Sequence, residues 1–488
     1  MASTADYRRL LAGALTIAVT AILLWFGTGL DPVWPLLWLA PLPVLVFCAR
    51  ASWWSAAIVA AVAWTLGALN LWHYLHGVLR LPAAAVAQIY GSEALVFVIA
   101  VLLYRALVRG GAWWSAIVAF AATRVAAEYL INITSPHGTA GNLAYSQLGF
   151  LPFLQVASVT GPWAMTLLVL GFSAALATAW QVRGSRRQVL RILGPALGAL
   201  GLVVGFGAVR LAQPAGPTVK VGLVASDPPI SPDVADEGAA TATLFQAYAG
   251  TAAGLAARGA QVIVLPEKLG VAVGPGTAAV DAEFQALAER TRAMIVVGLI
   301  RVGPPVKYNE ARIYAPGAPV TTYHKQHMLP PYERGLEPGT TLALIAQRLG
   351  AWGVEICKDL DFTQPSRDYG QAGTGLLLVP AWDFNLDRTS HGHMAVMRGV
   401  ESGFAIVRAA KQGYLTVSDN RGRIVAETTS DAAPFATLLA DVPVTHTTTL
   451  YLRLGDWFAW LTLLALGATV VQLVRLARAS PRGHAARS

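Results

Sequence analysis

The chain has 488 residues, of which 55% are hydrophobic and 13% charged, and its mean hydropathy is +0.52. The charged fraction is about half that of an ordinary soluble domain, which excludes a soluble globular protein and indicates an integral membrane protein. The net charge of +9 is unevenly placed: residues 217–443 hold 19 Lys and Arg against 22 Asp and Glu, and the remainder holds 17 against 5. The basic excess therefore lies in the apolar part, which favours membrane orientation and lipid contact over nucleic-acid binding.

Eight apolar segments come close to the roughly 20 residues that a helix needs to cross a bilayer. They cover 9–28, 33–49, 53–75, 84–106, 112–131, 161–180, 189–211 and 456–475. The first seven predict a membrane domain over 1–215, and the eighth predicts a C-terminal transmembrane helix over 455–477, with a basic cytoplasmic tail over 478–488. Arg8 and Arg9 precede the first segment, and since no clear small-residue cleavage site follows, we expect an uncleaved anchor.

Arginine and lysine predict the orientation of these helices. With the N-terminus in the cytoplasm, the inner short loops and the tail are rich in arginine. The outer short loops then hold only Arg80, and residues 132–160 contain neither Arg nor Lys. The positive-inside rule therefore places both chain ends inside and residues 217–443 on the outer, non-cytoplasmic face.

Two charged residues fall within the fifth segment. Arg124 and Glu128 are four residues apart and share a helix face. Charges at that depth are costly unless they pair or face a polar cavity, so they predict either a structural ion pair or a role at a substrate vestibule. The Gly-rich, polar stretch within 132–160 predicts an outer loop or a re-entrant segment near the lipid headgroups.

From Thr218 the sequence changes to short β-branched runs that alternate with helical stretches. The runs are 219–224, 262–265, 294–299, 311–314, 376–379, 405–409 and 415–418, and the helical stretches include 236–258, 281–292 and 391–403. This alternation predicts an α/β domain with a buried sheet over 217–443.

Three positions in this domain place a chemically active residue after an apolar run. Glu267 follows an apolar strand, where partial desolvation raises the pKa of a carboxylate and suits it to act as a base. Lys325 follows a second run, and its ammonium can stabilise a developing oxyanion. Cys357 ends an alternating apolar approach, which predicts a buried strand whose last residue points a thiol into a polar pocket. Taken singly, such a Glu is more often a surface residue and such a Lys a solvated charge.

The chain contains two cysteines, Cys48 in an apolar segment and Cys357 in the polar domain. Their settings predict no disulfide between them. One unpaired thiol in an export-facing domain is more often catalytic than structural. A thiol attacks only as the thiolate, so Cys357 needs a base and an activating charge nearby.

Glu, Lys and Cys in this order resemble the catalytic triad of the nitrilase superfamily. The motifs that carry the resemblance are Leu265-Pro266-Glu267, Tyr323-His324-Lys325, Glu355-Ile356-Cys357, Val379-Pro380-Ala381-Trp382 and Met397-Arg398-Gly399-Val400-Glu401. With several spans before the domain and one after it, nearly the whole chain resembles the bacterial apolipoprotein N-acyltransferase family. Residues 128–130 and 143–147 of the membrane half add to the likeness.

The resemblance implies an αββα sandwich and a two-step acyl transfer. Glu267 would take the proton of the Cys357 thiol, which would attack an acyl ester of a phospholipid and form a thioester. Lys325 and the backbone N–H of Lys358 would hold the oxyanion, and Glu333 would support this pocket. The free amine of a diacylglyceryl-cysteine lipoprotein would then accept the acyl chain.

The resemblance also implies a multi-pass protein of the bacterial cytoplasmic (inner) membrane, with its catalytic domain on the periplasmic or extracytoplasmic side. Its partners would be a phospholipid donor, a lipoprotein or other amine acceptor and the membrane lipids, with no nucleic acid and no cofactor, and we expect a monomer. Tyr145, Gln147 and Trp382 are expected to bind substrate, although a core position fits Trp382 about as well.

The chain departs from the resembled pattern near the predicted nucleophile. Lys358-Asp359 stands where Tyr-Glu is usual, so Asp359 can replace the Glu only with a shorter reach. Asp383-Phe384 replaces Phe-Gly, and Lys411-Gln412 stands where Asn-Asn is common. These groups would shape substrate binding, so the alternatives are a nitrilase-type amidase, a divergent N-acyltransferase with another amine acceptor, and an inactive binding module. Retention of all three triad residues argues against the inactive module.

His391 and His393 are two residues apart, a spacing that raises the question of a metal site. In the helix expected there, the two rings do not share a face. The sequence offers no evident third ligand. We therefore expect no metal.

Overall fold

The computed structural model describes residues 4–227, 239–303 and 305–479, which form a helical membrane part and an α/β part. The predicted basic tail lies outside the described residues from residue 480 onward. Residues 236–238 of the first predicted helix of the α/β part also lie outside them.

The described residues include seven helices that are long and apolar enough to cross a membrane: six before the α/β part and one after it. The helices before the α/β part are α1 (Thr4–Gly27), α2 (Trp34–Leu37), α3 (Leu42–Cys48), α4 (Trp53–Ala68), α5 (Ala83–Arg109), α6 (Trp113–Thr134), α7 (Leu151–Leu154), α8 (Ala157–Thr160), α9 (Trp163–Gln181) and α10 (Arg186–Ala212). A 3₁₀ turn and a π turn, Leu69–Leu71 and His73–Val78, extend α4.

The second predicted span, 33–49, is not a continuous helix. It breaks into α2 and α3 between Trp38 and Pro41, and the two pieces together cover Trp34–Cys48. Proline explains the break, because Pro41 and Pro43 lack the backbone N–H that a continuous helix would use at these positions. Where eight full spans were expected, the described residues therefore form seven, together with one shorter broken segment.

The α/β part contains two sheets whose strands include all seven runs predicted from the sequence. The strands are β1 (Thr218–Ala225), β2 (Val262–Val264), β3 (Val271–Val273), β4 (Met294–Gly303), β5 (Val306–Tyr314), β6 (Thr321–His324), β7 (Leu344–Gln347), β8 (Gly350–Val354), β9 (Thr374–Trp382), β10 (Ala405–Lys411), β11 (Tyr414–Ser418), β12 (Ile424–Thr429) and β13 (Ala436–Pro443). The first sheet has the order β13-β1-β2-β4-β5-β6, with β3 paired to β4, and the second has the order β12-β11-β10-β9-β8-β7. β9 and β10 pair in parallel and are buried along almost their whole length, which explains why they are largely apolar, with Arg408 and Lys411 as the charged residues of β10.

Helices cover the two sheets, which pack face to face through side chains such as Val221 and Leu377. The remaining helices are α11 (Ala239–Ala257), α12 (Pro275–Thr291), α13 (Ser366–Gln371), α14 (Arg388–Ser402), α15 (Leu450–Leu454) and α16 (Trp457–Ala479), the last of which belongs to the membrane part. α11 and α12 pack on the first sheet through Phe245 and Phe284, and α13 and α14 pack on the second. The expected αββα sandwich is confirmed.

The membrane part and the α/β part meet at α14 and at the stretch 132–160. Met394 and Met397 of α14 join the core of the membrane helices. The stretch 132–160, expected as an outer loop or re-entrant segment, folds into short helices, including the buried 3₁₀ helix Leu143–Gln147. Its Thr139 N–H donates to the carbonyl of Asp361 at 2.7 Å. The loops of the second sheet therefore lie directly against the membrane helices.

Candidate active site

Glu267 lies just past the carboxyl end of β2 in the first sheet. β2 is a fully buried strand, so the chain leaves the sheet within a dry interior. The buried Oε1 accepts hydrogen bonds from Lys325 Nζ at 2.8 Å and from Asn309 Nδ2 at 2.6 Å. Two donors from the same sheet thus fix the carboxylate in one orientation.

Lys325 directly follows β6 and is buried between two carboxylates. Its Nζ lies 2.8 Å from Glu267 Oε1 and 3.0 Å from Glu333 Oε2. Burial alone would lower the pKa of Lys325, but Glu267 and Glu333 raise it well above its ordinary value. The side chain is therefore a fixed ammonium, which suits a donor to an oxyanion rather than a base.

Glu333 accepts hydrogen bonds from several residues around Glu267 and Lys325. Its donors are Lys325, Lys268 Nζ at 2.6 Å, Asn309 Nδ2 at 2.7 Å and the backbone N–H of Leu329 at 2.7 Å. Burial would raise the pKa of Glu333, but the two lysines hold it well below its usual range. A carboxylate with this many donors positions its neighbours and is poorly suited to accept a proton.

Sequence reasoning missed Asn309 and Lys268. Asn309 lies inside β5, and its one sequence signal is the polar pair Asn309-Glu310 within an otherwise strand-like run. Lys268 follows Glu267 with a positive φ of 51°, which turns its side chain to Glu333. No local pattern in the sequence indicates that left-handed turn.

Cys357 opens a 3₁₀ turn, Cys357–Asp361, and does not end a strand as the sequence predicted. β8 ends at Val354, and Cys357 has a φ of +43°, which is uncommon for a residue with a side chain. Sγ donates to the carbonyl of Trp382 across 3.4 Å. Backbone strain of this kind costs about 1–3 kcal/mol and clusters at functional sites, and here it turns the thiol into a cavity.

The surroundings of the thiol act in both directions on its pKa. Burial raises the pKa of Cys357, and the charges of Glu267 and Asp383 raise it further. The neighbouring imidazole of His391 and the charge of Lys325 oppose this rise. The pKa stays above its ordinary value, so the thiol needs a base to become a nucleophile.

Asp359 ties the cysteine turn to the loop that carries the lysine. Oδ1 accepts from the backbone N–H groups of Gln326 at 3.0 Å and His327 at 2.8 Å. Oδ2 accepts from the Tyr323 hydroxyl at 2.8 Å and from the backbone N–H of Ile356 at 3.2 Å. Asp359 is fully buried, so it fixes the spacing of the two loops through hydrogen bonds rather than through contact with substrate.

Lys358 reaches from the cysteine turn towards the membrane part. Its Nζ lies 3.1 Å from Asp361 Oδ2 and 3.3 Å from His137 Nδ1. All three side chains line the same cavity as Cys357. The lysine that departs from the resembled pattern therefore places a cation at the junction of the two parts.

Trp382 and Tyr145 line this cavity, whereas Gln147 is not among the described residues that do. Gln147 is buried, and its Oε1 accepts from Trp38 Nε1 at 2.7 Å while its Nε2 donates to the carbonyl of Trp34 at 3.2 Å. The expected contact of Gln147 with substrate is thus corrected, because its amide is used to join membrane segments.

A cavity of about 500 Å³ connects the cysteine to the membrane helices. Its catalytic end is lined by Glu267, Lys268, Lys325, Cys357 and Trp382. Its membrane end is lined mostly by apolar side chains, including Leu71, Leu75, Leu79, Leu81 and Ile89. The thiol is therefore reached from the apolar surface of the membrane part.

Arg124 and Glu128 are both an ion pair and part of the cavity wall. Arg124 Nε lies 3.0 Å from Glu128 Oε1, and the same guanidinium contacts Glu93. Glu128 also accepts from the backbone N–H of Leu143 at 2.9 Å. All three charged residues line the cavity, so the ion pair is present and a role at a substrate vestibule stays a prediction.

Within the described residues, Cys357, Asp383 and His391 offer donor atoms that lie within 4.8 Å of one another. Asp383 already accepts hydrogen bonds from both terminal nitrogens of Arg408. Both carboxylate oxygens of Asp383 are therefore already engaged, so the cluster does not fit a metal ion. His393 is not among the described residues that line the cavity.

Comparison with protein families matches two models to the two parts of the chain. The family described as "Carbon-nitrogen hydrolase" matches residues 228–453. The family described as "Apolipoprotein N-acyltransferase N-terminal domain" matches residues 14–175. The α/β part and the helical part thus each have a family of their own, in the order expected from the sequence.

Curated relatives and solved structures extend the comparison. Apolipoprotein N-acyltransferase of Geobacter metallireducens is 26% identical over 96% of this chain and 96% of its own length, and that of Caulobacter vibrioides is 28% identical over 81% and 80%. An amidase of the nitrilase superfamily from Nesterenkonia AN1 is 20% identical, with a TM-score of 0.40 over 50% of this chain and 95% of its own. Both parts of the chain are thus similar to apolipoprotein N-acyltransferases, and its α/β part matches the carbon-nitrogen hydrolase family.

Proposed function

We propose that this protein is a membrane N-acyltransferase that moves a fatty acyl chain from a phospholipid to the N-terminal amine of a diacylglyceryl-cysteine lipoprotein. The observation that carries the proposal is the cavity in which Glu267, Lys325 and Cys357 meet the apolar side chains of the membrane helices. An acyl chain needs such a route because its exposure to water costs about 0.8 kcal/mol per CH₂. The names of the relatives support the same activity.

In the first step, Glu267 would take the proton of Cys357, and Sγ would attack the ester carbonyl of the phospholipid. Lys325 Nζ and the backbone N–H of Lys358 would hold the oxyanion. Breaking the ester C–O bond leaves a thioester on Cys357, and the proton on Glu267 passes to the departing lysophospholipid oxygen. The 2.8 Å contact between Lys325 and Glu267 supports these separate roles, since it places the oxyanion donor beside the base.

In the second step, the uncharged amine of the lipoprotein would attack the thioester. Glu267 takes a proton from the amine as the C–N bond forms. The C–S bond then breaks, and Glu267 returns its proton to the Cys357 sulfur. The enzyme is restored without any cofactor.

We also propose that the α/β part lies on the extracytoplasmic side of a bacterial cytoplasmic (inner) membrane. Ile89 near the start of α5 lines the cavity, whereas Arg105 and Arg109 lie at its far end. Arg186 likewise begins α10, whose other end leads into β1. These three arginines thus lie at the helix ends away from the α/β part, which supports this orientation.

A second candidate is an amidase or N-acyltransferase of the same superfamily with a different amine acceptor. The observation that favours it is Lys411, whose Nζ lies 3.6 Å from the centroid of the Trp382 ring and donates to the carbonyl of Lys268. Burial lowers the pKa of Lys411 to about 7, so its charge changes near neutrality. Such a group beside the cavity would favour an acceptor that carries an acidic group.

The test is acyl transfer between two defined substrates. Purified protein is incubated with a phospholipid that carries a labelled acyl chain and with a synthetic diacylglyceryl-cysteine peptide. We expect label on the N-terminal amine of the peptide, and none with the Cys357→Ala protein. The matched control is the same peptide with an acetylated N-terminus, which has no free amine and should stay unlabelled. Label on the protein without transfer points to the second candidate, and label on neither contradicts acyl transfer.

Gly298 of β4 offers a test of the position of the base. A Cβ on Gly298 would lie 2.4 Å from the Pro266 carbonyl oxygen and 2.7 Å from Glu267 Cα, both backbone atoms. We expect Gly298→Ala to displace Glu267 and to slow acyl transfer by about tenfold, because small misplacements of catalytic groups are costly. Gly254→Ala is the matched control, since a Cβ there meets nothing within 4 Å. Equal rates for the two variants would show that the Glu267 loop tolerates the shift.

A further inference from the structure

His391 lies on α14 with its ring among the cavity-lining residues and close to Cys357. Its Nδ1 lies 3.4 Å from Asp383 Oδ1, and its Nε2 lies 3.4 Å from Asp387 Oδ2. Donor atoms of His391, Asp383 and Cys357 lie within 4.8 Å of one another. The imidazole is thus enclosed by two carboxylates and the thiol that the proposed function uses as its nucleophile.

The two carboxylates are themselves held in place by other elements. Asp383 is fully buried and accepts from both terminal nitrogens of Arg408 in β10. Asp387 accepts from the backbone N–H of Phe384 at 2.8 Å and from the hydroxyl of Tyr74, in the membrane part, at 2.7 Å. These contacts fix the orientation of both carboxylates. His391 therefore lies in a negatively charged pocket whose residues are already held in place.

The charge of His391 follows from this enclosure. Burial alone would lower the pKa of its imidazole, but Asp387, Asp383 and a hydrogen bond with the thiol raise it well above its ordinary value. The ring is therefore an imidazolium at neutral pH, with two N–H groups facing three acceptors.

We propose that His391 is a further catalytic residue, whose imidazolium donates a hydrogen bond to Cys357 Sγ and stabilises the attacking thiolate. The role rests on the proposed function in one respect, that Cys357 is the nucleophile. His391 keeps both of its protons throughout, because the thiol proton passes to Glu267. Asp383 and Asp387 act through His391 and are positioning residues.

The other charged groups around the thiol show why such a cation is needed. Glu267 and Asp383 both oppose a thiolate at Cys357. Lys325 favours it, but its Nζ is already engaged by Glu267 and Glu333. A ring nitrogen of His391 lies within 4.8 Å of the thiol sulfur, and an imidazolium in that position favours a thiolate.

The test is the rate at which iodoacetamide alkylates Cys357, measured against pH in full-length protein that carries Cys48→Ala. We expect His391→Gln to raise the apparent pKa of the thiol by at least about one, which slows alkylation at pH 7 about tenfold. His393→Gln is the matched control on the same helix and should leave the pH profile in place. Superimposable profiles for His391→Gln and the parent protein would overturn the proposal.

A second variant keeps the test decisive if His391→Gln does not fold. Asp387→Asn retains the imidazole but removes one of its two anionic partners, so the profile should move in the same direction by a smaller amount. An unmoved Asp387→Asn profile would then count against the imidazolium. Alkylation requires no lipid, so a shifted profile without acyl transfer would contradict the proposed function alone, and transfer with unmoved profiles would contradict this role alone.

Discussion

Lys325→Met is expected to slow formation of the acyl-enzyme by at least ~10²-fold, the size of effect seen when an oxyanion donor is removed. Its ammonium lines the thiol cavity and lies 2.8 Å from the carboxylate of Glu267. Without it, Glu267 and Glu333 remain buried with one cation fewer, and breaking a buried pair costs about 3–5 kcal/mol of stability. The readout is the rate of lysophospholipid release, with a thermal melt alongside.

Two further lysine variants separate charge from position. Lys325→Arg keeps the charge but changes the donor geometry, so its rate should remain far below that of the parent protein. Lys307→Met is the matched control, because Lys307 is exposed on β5 and should keep the parent rate. A Lys325→Met protein that folds and turns over near normally would remove Lys325 from the oxyanion site.

Glu267→Gln is expected to slow acyl-enzyme formation by at least ~10²-fold, because the general base is lost. The amide oxygen of a Gln can still accept from Lys325 and Asn309, as Oε1 of Glu267 does now. The fold should therefore survive while proton transfer fails. The measurement is the burst of lysophospholipid on mixing enzyme with labelled phospholipid.

The control for this variant is Glu337→Gln, an exposed carboxylate in the same stretch of chain as Glu333. It should leave the burst unchanged. If Glu267→Gln kept the full burst and its melting temperature, another group would have to act as the base.

The layout of the α/β part could be predicted because its central strands are buried on both faces. β2 and β9 are largely apolar runs, and chemistry was expected after such runs. The structure brings Glu267, Lys325 and Glu333 into contact and places Cys357 in the same cavity. Residues that follow strand ends therefore carried most of the information about the site.

The parts that could not be predicted depend on long-range contacts. Asn309 belongs to the site because strand pairing brings it next to Glu267. Lys268 belongs to it because of a left-handed backbone turn that the neighbouring sequence does not predict. His391 was considered only as a metal ligand, because its partners Asp383 and Asp387 lie several residues away along the chain. Gln147 lies in a stretch that the sequence assigned to substrate binding, but its side chain forms a buried hydrogen bond with Trp38 instead.

The central claim is that the acyl chain is carried as a thioester on Cys357. It is tested by intact mass measurement of Cys48→Ala protein after incubation with phospholipid alone. We predict a mass increase of one acyl chain, mapped to the peptide that contains Cys357, removed by neutral hydroxylamine and absent from the Cys357→Ala protein. An unchanged mass with every phospholipid tried, or an adduct that persists in Cys357→Ala, would contradict the claim.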